Sequence, residues 1–136
     1  MANIDYIMEL LDWNNSAECK KQGVKLARDV KCINVFLQPG KPYGKSIWDN
    51  CAKILSERTD EELSPYLFAL MEWLQDMNWP GAFRILNRIQ RFVSEDKYIV
   101  LEHCIKKAKA LKDDVWEENL NMVKDNTIFN ISGDGV

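Results

Sequence analysis

Tyr6-Ile7-Met8-Glu9-Leu10-Leu11-Asp12-Trp13 returns 60 residues later as Tyr66-Leu67-Phe68-Ala69-Leu70-Met71-Glu72-Trp73, with Tyr, Leu and Trp kept in register. Apart from Glu9, the remaining positions stay apolar or acidic in both copies. Further matches follow in the same order: Ile47-Trp48-Asp49-Asn50-Cys51 with Val100-Leu101-Glu102-His103-Cys104, and Asp60-Glu61-Glu62-Leu63 with Asp113-Asp114-Val115-Trp116. An ordered internal repeat of this kind is the mark of units that cannot bury their apolar faces alone and do so against neighbours.

Between these anchors the apolar spacing is helical. Ile4, Ile7, Met8 and Leu11 share one face, and Val24, Leu26, Ala27 and Val30 belong to a second helix. Gln38-Pro39-Gly40-Lys41-Pro42-Tyr43-Gly44 is the clear loop, since two prolines and two glycines do not suit a helix interior. A third helix, carrying Ile47, Trp48, Cys51, Ile54 and Leu55, should end near Arg58. Thr59 followed by Glu62 has capping-box spacing and opens a fourth helix to about Asp76. Trp79-Pro80 marks a break and the start of a fifth helix through Phe92. Ser94-Glu95-Asp96 begins a sixth, to about Leu111, and Asp113-Asp114 a seventh, to about Lys124.

The expected fold is all-α: a short right-handed α-solenoid of about seven helices, two three-helix repeats plus a capping helix, in one domain spanning residues 1–136. Repeat one covers about residues 3–58, repeat two about 59–112 and the capping helix about 113–124, with a loosely packed tail over 125–136. The aromatic residues Tyr6, Trp13, Tyr66, Trp73 and Trp79 sit at matching helix ends and are expected in the core.

The segment Trp73-Leu74-Gln75-Asp76-Met77-Asn78-Trp79-Pro80-Gly81-Ala82 resembles the signature of an uncharacterised bacterial domain family of HEAT-like helical repeats, over about residues 59–92. The first copy keeps Trp13 but lacks the Asn-Trp-Pro element. The resemblance implies a fold and carries no activity with it.

The chemistry-bearing residues favour binding over catalysis. His103 is the only histidine, so a multi-histidine metal site is impossible, and its neighbour Cys104 diverges from it on a helix. No glycine-rich phosphate loop is present. Cys19, Cys32, Cys51 and Cys104 form no CxxC pair and are expected as buried free thiols of a reducing cytosol. We expect no catalytic residue, no metal and no cofactor. The first residues lack a basic and apolar signal, and no apolar run approaches membrane-spanning length, so a cytoplasmic location without membrane contact is expected.

Two charged sets stand out in a chain of formal net charge −3. Asp60, Glu61, Glu62, Asp113, Asp114, Glu117 and Glu118 fall at helix starts, where carboxylates favour the dipole. At equivalent repeat positions they would form one acidic rim for a basic protein partner, and the leading expectation is an immunity or antitoxin-type protein covering a toxin domain. Lys21, Lys25 and Arg28 occupy i, i+4 and i+7, a spacing that Arg84, Arg88 and Arg91 repeat. Placed side by side, these ridges would bind nucleic acid or another polyanion, the alternative expectation.

Overall fold

The computed structural model describes residues 3–39 and 43–125. The centre of the Pro/Gly loop and the expected tail after Asp125 lie outside the described residues.

At the heads of the helices that begin at Ile4, Ala17 and Asp60 a side chain takes up backbone N–H groups that a first turn leaves free. Asn3 accepts from the Tyr6 N–H at the head of α1 (Ile4–Leu10), and Ser16 from the Cys19 N–H at the head of α2 (Ala17–Ala27). After a 3₁₀ turn at Ile33–Phe36, a second one at Lys45–Ile47 leads into α3 (Trp48–Ser56). The Thr59–Glu62 capping box forms and opens α4 (Asp60–Leu63). Pro65, which lacks an N–H and crowds the turn before it, tightens the rod to 3₁₀ over Ser64–Tyr66. The rod then continues as α5 (Leu67–Glu72) and a closing 3₁₀ turn at Trp73–Gln75. Thus the expected fourth helix is one rod of changing pitch. It is followed by α6 (Ala82–Gln90), α7 (Asp96–Ala110) and α8 (Asp114–Asp125).

Counting that rod once, the described residues hold seven helical rods and no strand. The main packed pairs are α1 with α2, α3 with α6, α5 with α7, and α7 with α8, while α3 also meets α2 and the Ile33–Phe36 turn. A single apolar core runs through all of them, from Ile7 and Leu11 through Phe36, Leu55 and Trp73 to Trp116 and Val123.

Two glycines permit the closest approaches. A Cβ on Gly23 would lie 2.8 Å from Leu11 Cδ2, so the absence of a side chain lets α2 settle on α1. Gly81 has φ +85°, and its Cβ would lie 2.6 Å from Ala52 and 3.1 Å from the Trp48 carbonyl, which seats α6 on α3.

Side chains of later helices clamp the carbonyls at the ends of earlier ones, groups that would otherwise be orphaned in the core. Arg58 donates to Ala27 O and Val30 O beyond α2, and Arg88 to Arg58 O beyond α3. The buried Lys97 donates to Ile89 O and Gln90 O at the end of α6. Trp116 reaches Met71 O, and Asn119 reaches Leu74 O, which fastens α8 to the rod.

Two expectations need correction. Cys51 and Cys104 are buried, but Cys19 is half-buried and Cys32 exposed, because each of the latter pair falls outside the apolar face of its segment. Tyr6 and Trp13 are not core residues: they are 48% and 49% exposed, whereas Trp73 is fully buried. Trp73 is held by its indole N–H to Pro80 O, and the first copy has no Trp-Pro turn to play that part.

Candidate functional site

Lys21, Lys25 and Arg28 lie on one face of α2, as the spacing predicts, and α3 faces them. Between the two helices is a recess of about 580 Å³, lined on the α2 side by Ala17, Lys20, Lys21, Val24, Lys25 and Arg28. Asn50, Lys53 and Glu57, at i, i+3 and i+7 of α3, form the other wall. Five cations thus meet one carboxylate, and that carboxylate is already paired, Glu57 lying 3.5 Å from Arg28.

The groove carries a surplus of four positive charges on a chain of net charge −3, which leaves −7 for the rest of the molecule. Such a separation gives a local positive field that the total charge conceals. Beyond Arg28 the groove runs into a smaller recess of about 310 Å³ bordered by Arg28, Ile54, Glu57, Arg58 and Glu62, where the alternating signs end the basic run.

The second expected ridge behaves differently. Arg84 pairs with Asp49 of α3 at 3.1 Å, and Arg88 is 8% exposed and bonded to Asp60 and to the Arg58 carbonyl. Arg91 is exposed. α3 packs against both α2 and α6, and Arg84 and Arg88 are each committed to a carboxylate.

The acidic residues are also partly committed. Partial burial alone would raise the Asp60 pKa, but the Val93 N–H and the Arg88 guanidinium outweigh it and hold the carboxyl below its usual range. Glu62 is lowered by the Thr59 N–H and by Arg58. Asp113 accepts from the Trp116 N–H at the head of α8, and Glu117 lies 3.8 Å from Lys109. Glu61, Asp114 and Glu118 remain exposed. The Asp60 group sits against the end of α6, whereas the head of α8 is fixed to Met71. That is eleven residues further along the rod, roughly 16 Å at helical rise, and no hydrogen bond or ion pair joins the two groups among the described residues.

Other reactive groups are quiet. Burial pushes the Cys51 and Cys104 thiols up to about 12, so both stay protonated at neutral pH. His103 is exposed. Among the described residues no three His, Cys, Asp or Glu side chains gather as a metal site, and no helix is long and apolar enough to cross a membrane.

Sequence reasoning missed Lys20 and Lys53. Lys20 is adjacent to Lys21 and outside its i, i+4, i+7 series, and Lys53 belongs to a helix whose neighbour the sequence does not reveal.

A family model described as a domain of unknown function, DUF5071, matches residues 45–132. The chain belongs to this family. The DUF5071 match is wider than the 59–92 stretch of the signature and takes in α3 through α8. The α3 wall of the groove therefore lies inside the DUF5071 segment, while α1 and α2, with Lys20, Lys21, Lys25 and Arg28, precede it. No curated protein and no solved structure matches the chain.

Proposed function

We propose that this chain is a non-enzymatic binding module of short, right-handed, HEAT-like solenoid form, and that its α2–α3 groove takes a polyanion. The observation that carries this reading is the set of five groove cations opposed by one already paired carboxylate. Ammonium groups held on two rigid walls attract anionic groups with little demand on their orientation. The reading built on the acidic rim and a basic toxin domain has less support, because Asp60, Glu62, Asp113 and Glu117 already serve internal bonds.

Calorimetric titration with inorganic polyphosphate at low and moderate salt tests the proposal. We expect binding that weakens as salt rises, and at least a hundredfold loss in Lys21→Glu/Lys25→Glu/Lys53→Glu. A second triple variant on α7 and its end, Lys106→Glu/Lys109→Glu/Lys112→Glu, changes net charge equally and should keep most of the affinity. No binding at low salt, or equal losses in both variants, overturns the proposal, since affinity would then be absent or would follow net charge alone.

A further inference from the structure

Trp13 carries a half-exposed aromatic ring on a segment whose backbone the groove residue Lys20 holds. Its counterpart Trp73 is fully buried with its indole N–H bonded to Pro80 O, while Trp13 is 49% exposed. The segment that carries it is nonetheless well anchored. The Trp13 N–H donates to Ser46 O at 2.9 Å, and its carbonyl accepts from Lys20 Nζ at 3.4 Å. Two residues earlier, Leu11 O accepts from Asn50 Nδ2 at 2.7 Å. Lys20 and Asn50 both line the groove, so residues 11–13 are tied to it, at Trp13 through Lys20 and at Leu11 through Asn50.

From this juxtaposition we propose that the polyanion is a single-stranded nucleic acid, its phosphates on the α2–α3 cations and one base stacked on Trp13; this rests on the groove reading above. A positive groove that tracks a phosphate backbone, joined to an aromatic face that accepts any base, is the general solution to binding single strands without sequence preference. From Lys21 through Lys25 to Arg28, the residue that caps α2, the ridge rises about 10 Å. Four of the five cations are lysines, which suits diffuse phosphate charge better than the planar, paired recognition at which arginine excels. Stacking on Trp13 needs a base whose face is free, which a single strand offers and a double helix keeps within its own stack. An acidic peptide would satisfy the lysines and leave the exposed indole without the planar partner that every nucleotide brings.

Fluorescence anisotropy with labelled (dT)12, competed by its duplex and by inorganic polyphosphate, separates these cases. In wild-type protein we expect (dT)12 to bind more tightly than the duplex of equal length. Trp13→Ala should weaken (dT)12 about tenfold, in keeping with the usual worth of one base–aromatic stack, and leave polyphosphate affinity within about twofold. Trp13→Phe, which keeps an aromatic face, should recover most of the loss. The exposed position of Trp13 and its backbone bonds leave folding intact in both variants, which thermal melts would verify. Equal affinity of wild type and Trp13→Ala for (dT)12 overturns this inference and leaves the groove standing, as does preference for the duplex or a parallel loss of polyphosphate binding in a normally folded Trp13→Ala. Failure of both (dT)12 and polyphosphate to bind at low salt overturns the groove reading and this inference together.

Discussion

At Gly81 the backbone is left-handed, with φ +85°, and a Cβ would stand 2.6 Å from Ala52 and 3.1 Å from the Trp48 carbonyl. Backbone strain and overpacking act together at this point, so Gly81→Ala should cost roughly 2–4 kcal/mol in urea unfolding. A change under about 0.5 kcal/mol would mean that α3 and α6 are not seated as described. The same junction holds Trp48 edge-on to both Trp73 and Trp79, with ring centroids 6.2 and 5.5 Å apart. The break before α6 was legible in Trp79-Pro80, because proline restricts the residue before it, but the helix starts at Ala82 and the left-handed Gly81 was not foreseen. The fate of Trp13 was less legible. A repeat match copies residue type, whereas burial of Trp73 depends on Pro80, which has no counterpart in the first copy.

Among the elements, the head of α4 is tied to the end of α6 through Asp60, which accepts from Arg88 and from the Val93 N–H. Because its pKa is lower folded than unfolded, the Asp60 carboxylate stabilises the fold above the unfolded value of about 4. That contribution is lost as pH falls through the lower folded value. Asp60→Asn should therefore cost roughly 1–3 kcal/mol at neutral pH, with the gap from wild type shrinking below about pH 4. A gap that stays constant from neutral pH down to about pH 2 in denaturant titrations would contradict the assignment. Helix starts were readable beforehand, since Thr59 and Glu62 are three residues apart and the capping box is local chemistry. The binding of Arg88 to Asp60 was not, because the partners are 28 residues apart and meet only after α6 has packed. For the same reason the commitment of Arg84 and Arg88 to Asp49 and Asp60 was not legible: equal spacing along two helices leaves open what packs between them.

Across the whole molecule, a mildly acidic chain gathers a surplus of four positive charges in one groove and leaves the remainder at −7. The all-helical class was legible because its periodicity repeats through the chain. The groove was half legible: the α2 ridge follows from spacing, but Lys53 joins it only through the contact of α2 with α3. Its position across the start of the DUF5071 match also means that residues before 45 supply most of its cations. The most direct measurement is a titration of isotope-labelled protein with inorganic polyphosphate at low salt, followed by amide chemical shifts. We expect the largest changes within Ala17–Arg28 and Asn50–Glu57, saturating together, with α7 and α8 little changed. Shifts centred on α7 or α8, or no shifts at all, would contradict the α2–α3 groove as the site of binding.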